Sequence, residues 1–315
     1  MLLVVHTRAI ALLGVLLAGC SLPAPPVTPT AAAAPVSPTR VVAIGDLHGD
    51  LASAEAAFRL AGAVDASGRW TGGRLVVVQV GDQTDRGDDE LEILAWLERL
   101  SGQARAAGGA VHVLLGNHEA MNAQRDFRYV TPGGFSDFAD APCPMSDRAC
   151  AETPEPERGR YAAFRPGGVW ARTLADHPVA LKLGDTLFVH AGLEPQFARA
   201  GLDALNRPVQ AWLRDEGPEP ALVSAKDGPL WSRRFGADVE PASCEALASA
   251  LTAVGAARMV VGHTVQRDGI TSACNGRVWR VDTGLSDHYG GPTEALEITP
   301  IGVRVLRMPE GGDAR

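Results

Sequence analysis

The stretch Leu75-Val-Val-Val-Gln-Val-Gly-Asp-Gln-Thr-Asp-Arg-Gly-Asp88 limits the possible folds of this chain more than any other. Residues 75–80 are short, β-branched and almost uncharged, which predicts a strand buried on both faces, and Gly81 turns the chain just where Asp82 appears. Asp82 therefore stands at the carboxyl end of a strand, where open α/β sheets hold their ligands. Two similar runs flank it. Residues 41–45 deliver Asp46 and His48, and residues 111–116 deliver Asn117 and His118. Helical spacing of apolar residues over 51–62 and 88–107 fills the gaps, the second helix opening on Asp88, Asp89 and Glu90 at the positive end of its dipole. With right-handed crossovers this βαβαβ pattern yields a parallel sheet covered by helices, all three polar loops emerging on one edge.

Residues 123–177 break the rhythm with Pro132-Gly-Gly134, two cysteines, an acidic Pro-rich run and Pro166-Gly-Gly168, too long a stretch for a simple connection. It is either a cap over the active-site edge or a disordered insertion. Phe127, Tyr129, Phe135, Phe138, Tyr161, Phe164 and Trp170 favour the cap, because they give it something to bury. Beyond it, residues 179–183 and 186–189 form a hairpin ending in His190. Residues 194–215 read as mostly helical, and 243–254 as a helix capped by Ser243. Residues 258–262 form a strand that delivers His263, and 278–282, 295–298 and 303–306 complete an antiparallel set. The expected fold is α/β: two facing mixed β-sheets flanked by helices, over residues 40–308, with a cap insertion at 123–177 and a flexible tail at 309–315.

The first forty residues stand apart. Arg8 precedes an apolar run over 9–17 that closes on Leu17-Ala-Gly-Cys20, too short to span a bilayer and typical of an export signal. The stretch resembles the lipobox of bacterial lipoproteins, which implies cleavage after residue 19 and lipidation of Cys20. An uncleaved anchor or an ordinary signal cut elsewhere is the other reading. Residues 20–39 are rich in Pro, Ala, Ser and Thr and are expected to be a tether. The protein is thus expected to be exported and held on a bacterial membrane by a lipid anchor only. Of 29 basic residues, Arg8 leaves with the signal, so 28 face 37 acidic ones and the mature chain carries a formal charge of −9. That balance offers no nucleic-acid footprint.

Four cysteines remain besides Cys20. In an oxidising compartment the short spacing of Cys143 and Cys150 favours pairing them, leaving Cys244 with Cys274, out of three possible connectivities.

Five loops thus carry Asp46, His48, Asp82, Asn117, His190 and His263 to strand ends, and their number and types suit two divalent ions sharing one carboxylate. Asp46, His48 and Asp82 would hold the first ion, and Asp82, Asn117, His190 and His263 the second. Three imidazoles disfavour Mg²⁺ and Ca²⁺, whereas mixed oxygen and nitrogen donors suit Mn, Fe or Zn. Two such ions ~3.5–4 Å apart would activate a bridging water as hydroxide, clamp a phosphoryl group and favour in-line attack on phosphorus. His112, in mid-strand, reads as structural. His6 leaves with the signal, and His177 and His288 have no partner legible in the sequence.

Gly45-Asp-Leu-His-Gly49, Gly81-Asp-Gln-Thr-Asp-Arg-Gly87, Gly116-Asn-His-Glu119, His190-Ala-Gly192 and Gly262-His263 together resemble the calcineurin-like metallophosphoesterases. Asp85-Arg86-Gly87 is similar to the phosphoprotein phosphatase branch, and residues 116–129 with Phe188-Val-His-Ala-Gly192 resemble its bacterial Shewanella-like members. The resemblance implies a dimetal phosphomonoesterase, with a phosphorylated protein (Ser/Thr or Tyr) or small phosphomonoester as partner. It also implies that His118 is the general acid, Asp85 its orienting carboxylate, and Arg86 a phosphate-binding arginine beside Asn117. A second phosphate-binding arginine would be Arg233 or Arg234. The chain departs from the wider family at Val265, where a further histidine often stands, and at Val261-Gly-His263, where the phosphoprotein phosphatase branch has Arg-Ala-His. A symmetrical dinucleoside polyphosphate hydrolase is the enzymatic alternative, and a non-catalytic surface binding protein the other.

Overall fold

All four residues of Val41–Ile44 are buried because this strand lies in the middle of a sheet with packing on both faces. The computed structural model describes residues 39–308; the expectations for the signal, Cys20 and its lipidation, His6, the body of the tether and the tail lie outside the described residues. Ten strands form two sheets of five: β1 Val41–Ile44, β2 Val76–Gln79, β3 Ala110–Val113, β4 Ala180–Leu183, β5 Thr186–Val189, β6 Arg258–Val261, β7 Thr271–Ala273, β8 Val278–Arg280, β9 Glu294–Thr299 and β10 Gly302–Arg307. The first sheet runs β10-β9-β1-β2-β3 and the second β4-β5-β6-β8-β7. In the first, β1, β2 and β3 are parallel, with Val41 opposite Val76 and Val76 opposite Ala110, while β9 and β10 join antiparallel.

Alternation decides which side chain faces what. Val41 and Ala43 meet Phe188 and Val260 in the layer between the sheets, whereas Val42 and Ile44 face the helices α1 Leu51–Leu60 and α2 Glu90–Ala106. On the far side of the second sheet, Leu187, Val189, Met259 and Val261 face three more helices. This is the expected α/β architecture of two facing mixed sheets between helices.

Residues 117–177 are largely helical: α3 Asn117–Ala123, α4 Pro132–Ser136, α5 Arg148–Glu152, α6 Arg158–Phe164 and α7 Val169–Leu174. Phe138, Phe164 and Leu174 of the insertion are buried with Trp212, Leu213 and Leu230 from outside it, so the insertion is packed into the rest of the domain. Its disulfide, Cys143–Cys150, and a second, Cys244–Cys274, have Cα separations of 5.5 and 5.4 Å, within the normal range for the bond.

Three details differ from the expectations. The segment 194–215 is two helices, α8 Pro195–Ala200 and α9 Leu202–Leu213, because Gly201 adopts φ +87° and breaks the ladder between them. The last helix, α10 Pro241–Val254, starts on Pro241 with Glu240 before it, and Ser243 is buried within its first turn. The strand containing Val278 does not join an antiparallel set with β9 and β10. It pairs parallel to β6 and antiparallel to β7, a three-residue strand too short to stand out in the sequence.

Candidate active site

The loops after β1, β2 and β3 are stitched together by backbone. Leu47 and His48 donate their N–H groups to the Asp82 carbonyl at 2.9 and 3.0 Å, and Gly49 donates to Gln83 at 3.0 Å. Of nine non-glycine residues with positive φ among the described residues, five are His48, Asp82, Asp85, Arg86 and His263. Backbone strain is thus concentrated where the candidate site lies, as it is at sites whose side chains must be aimed. Glu119, three residues into the Gly116 turn, receives the N–H groups of Asp82, Gln83, Thr84 and Gly116 at 2.8–3.0 Å and holds the central loop in place.

Asp82 is at the centre, and it is buried. Its Oδ1 accepts the His118 N–H at 3.0 Å, and its Oδ2 lies 3.8 Å from His48 Nε2, 3.9 Å from His118 Nε2 and 3.3 Å from His190 Nε2. Burial pushes its pKa up, but the His190 and His118 imidazoles override this and hold the carboxylate well below its usual range. The outer ring nitrogens fix the orientations: His48 Nδ1 lies 3.2 Å from the Thr84 carbonyl and His190 Nδ1 3.0 Å from that of Val80, so each Nδ1–H donates and each Nε2 turns inward. His190 Nε2 also meets Asn117 Oδ1 at 2.9 Å.

Two groups of side chains could hold a metal ion, and they share Asp82: His48, Asp82 and His118, and Asp82, His190 and His263. The donor set fits such ions. Asp46 Oδ1 and His263 Nε2 are buried with no hydrogen-bond partner, and His190 Nε2, Asn117 Oδ1 and Asp82 Oδ2 converge; burial lowers the His190 pKa but Asp82 raises it above its usual value, so an ion bound there would take the place of that proton. Burial lowers His48 to about 3 and His263 to about 2, which keeps both rings neutral and their lone pairs free. The first group holds His118 where the sequence reading put Asp46. Asp46 stands beside it, its Oδ2 accepting the His263 N–H at 2.9 Å. Burial and the neighbouring Asp282 and Asp82 carboxylates raise its pKa.

His118 differs from the other rings. Its Nδ1 lies 2.6 Å from Asp85 Oδ2, and although burial lowers its pKa, Asp82 and Asp85 carry it up to about 9, so the ring is held as a cation. Arg86 is half-buried and stacked 3.9 Å over the Tyr129 ring, with its Nε unpaired. The Tyr289 ring lies 5.3 Å from that of His48, and a cleft of ≈ 640 Å³ opens beside Arg86, lined by His48, Thr131, Ser286 and His288. A larger groove of ≈ 750 Å³ on the insertion carries none of the candidate ligands.

Of the two downstream arginines, Arg233 reaches the His263 carbonyl at 3.1 Å, whereas Arg234 turns away to Glu194 and the Ala242 carbonyl at 3.0 Å each. His112 is half-buried in β3, as expected of a structural residue. His177 does have a partner, Glu98 Oε1 at 3.2 Å, which sits on α2 and was invisible at a separation of 79 residues. His288 packs edge-on against Tyr289.

Sequence reasoning missed four residues. Glu119 carried a signal, since an acid three residues into a helix is half of a capping box. Asp282 also carried one, because it follows an apolar strand as Asp82 does; it is buried against Asp46, and burial raises it to about 6. Asn122 and Arg160 carried none. Both reach Asp85 Oδ1, at 3.0 and 2.9 Å.

The sequence pattern described as calcineurin-like phosphoesterase matches residues 39–267. The chain is 40% identical over 303 residues to Shewanella-like protein phosphatase 2 of Arabidopsis thaliana, covering 85% of this chain and 78% of the relative. It is 28% identical to Shewanella-like protein phosphatase 1 of Plasmodium berghei, covering 85% and 74% respectively. Among solved structures, a cold-active protein tyrosine phosphatase superposes with a TM-score of 0.68 at 25% identity, over 85% of this chain and 75% of that one. The chain therefore belongs to the calcineurin-like phosphoesterase family, as a phosphatase-type metallophosphoesterase with Shewanella-like protein phosphatases among its homologues.

Proposed function

We propose that this chain hydrolyses phosphomonoesters on protein, phosphoserine, phosphothreonine or phosphotyrosine, with two divalent ions of Mn, Fe or Zn. The observation that carries the reading is Asp82 Oδ2, one oxygen facing His48, His118 and His190 at 3.8, 3.9 and 3.3 Å and common to both candidate metal groups. Asp46, His48 and Asp82 would hold one ion, His118 being a cation and so no ligand, and Asp82, Asn117, His190 and His263 would hold the other. When bound, such a pair supplies Lewis-acid polarisation of a phosphoryl oxygen and a more acidic water.

The chain's own residues do the rest. Arg86 and Arg233 address the phosphoryl oxygens from two sides, and Asn117 orients the group between them. His118 presents its Nε2–H to the leaving oxygen, while the 2.6 Å contact of Asp85 with Nδ1 fixes the ring's direction. As a water oxygen bonds to phosphorus and gives up its proton to solvent, the ester P–O bond breaks, its electron pair stays on the ester oxygen, and that oxygen takes the His118 proton. Arg234, engaged with Glu194, has no part in this.

The test pairs elemental analysis with a panel of p-nitrophenyl phosphate, phosphopeptides and a dinucleoside tetraphosphate. Asp82→Asn is expected to lose metal and activity together. His118→Asn is expected to keep metal and lose rate, about 10²- to 10⁴-fold with poor leaving groups and much less with good ones. Preferential cleavage of the dinucleotide, or silence on every substrate in a metal-loaded protein, overturns the reading. The same reading includes an exported enzyme carried on the membrane by Cys20; Cys20→Ser should release it to the soluble fraction, and membrane retention of that variant refutes the anchor.

A further inference from the structure

Arg160 is completely buried, on α6 of the insertion, 75 residues from Asp85 in sequence. Every arm of its guanidinium is used. Nε donates to Asn122 Oδ1 at 2.6 Å, Nη1 to the Gly134 carbonyl at 2.8 Å, and Nη2 to Asp85 Oδ1 at 2.9 Å and Glu90 Oε2 at 2.5 Å. The rings of Phe138 and Phe164 lie 5.2 and 5.1 Å from its central carbon and keep water out.

The contacts converge on one carboxylate. Asp85 Oδ1 receives Arg160 directly and the Asn122 amide at 3.0 Å; that amide is oriented because Arg160 occupies the Asn122 oxygen. The same Asn122 nitrogen donates to the His118 carbonyl at 2.9 Å. Asp85 Oδ2 is thereby left to His118 alone.

We propose that Arg160 is a positioning residue for the reaction: held in the insertion, it locks Asp85 and Asn122 so that His118 Nε2 points at the leaving oxygen. The inference rests on His118 acting as the acid. It makes protonation of poor leaving groups depend on the insertion being seated, although Arg160 itself donates only to Asn122, Gly134, Asp85 and Glu90. Lysine cannot replace the fork, because a single ammonium cannot reach four acceptors spread in one plane. The rival explanation is that Arg160 only neutralises two buried acids, Asp85 and Glu90.

The experiment uses the full-length chain with phenyl phosphate as poor and 2,4-dinitrophenyl phosphate as good leaving group, after thermal melts and metal analysis of each variant. R160M and R160K should keep metal and KM, and should lose kcat on phenyl phosphate by about tenfold to a hundredfold while losing much less on the dinitrophenyl ester. The double variant R160M/E90Q removes the buried charge together with one of its acids and so guards against misfolding. If Arg160 only neutralises, the double variant regains wild-type leaving-group dependence. If it positions Asp85, the defect on phenyl phosphate persists, and in an Asp85→Asn background Arg160→Met adds almost nothing. Equal losses on both esters, restoration in the double variant, or failure of all these Arg160 variants to fold overturns the proposal. His118→Asn on the same esters separates the two readings: no leaving-group dependence there sinks the acid itself, while dependence there without dependence at Arg160 sinks only the positioning role.

Discussion

Glu90 shows what one buried cation shared by two acids does to ionisation. Burial raises its pKa to about 7; Arg160 pulls it down, but Asp85, which holds the same Nη2, pushes it back up. A carboxyl raised in the folded state keeps its proton where the unfolded chain has lost it, so stability falls as pH climbs from about 4.5 to about 7. Glu90→Gln abolishes this contribution. In urea titrations at pH 4.5 and 7.5, the wild type should lose stability relative to the variant as pH rises; a difference that stays constant or runs the other way counts against the raised pKa. Asp46 and Asp282 titrate in both proteins and cancel. At this scale the sequence was legible where a residue of the candidate site stands directly after an apolar run, as with Asp46, Asp82, His190 and His263. It was silent for Asn122 and Arg160, whose partner Asp85 is 37 and 75 residues away and reached only after folding. The same distance effect made Arg233 and Arg234 look alike in the sequence, although only Arg234 meets Glu194, 40 residues away.

Among the elements, the turn into α3 carries the tightest constraint. Gly116 has an ordinary φ of −96°, so alanine suits its backbone, but a Cβ there would sit 2.1 Å from Asp82 Oδ1 and 2.2 Å from Asp82 N. Gly116→Ala should therefore leave the sheets intact and displace Asp82. Metal affinity should drop by about 10- to 100-fold, the range seen when a ligand loses its outer support, with circular dichroism unchanged; full metal content would contradict the crowding. Strands and helices with strong periodicity were readable because their packing repeats in the sequence. The break at Gly201 was not, since a single φ of +87° leaves the apolar spacing on either side undisturbed. Nor was the direction of β8, because an apolar run looks the same whether its neighbour is parallel or antiparallel.

For the whole molecule, two covalent links close loops of very different length, with sequence separations of 7 and 30. Loop-closure entropy assigns them about 2.5 and about 3.7 kcal/mol respectively. Replacing Cys244 and Cys274 by alanine should lower the melting temperature more than replacing Cys143 and Cys150, and the reverse order would show that packing around buried Cys150 outweighs chain entropy. The candidate ligands span both sheets: Asp46, His48, Asp82 and Asn117 follow strands of the first, His190 and His263 strands of the second. Cations bound there would add to the few hydrogen bonds that already join the two layers, among them His263 N–H to Asp46 Oδ2 and His190 Nδ1 to the Val80 carbonyl. Chelation should lower the melting temperature as well as the rate, by an amount equivalent to about 2.7 kcal/mol for a site filled at a hundred times its dissociation constant. An unchanged melt after complete metal removal would contradict this. Where transition metals run short, such a chain becomes easier prey for proteases, so scarcity thins the population of enzyme molecules as well as idling those that survive.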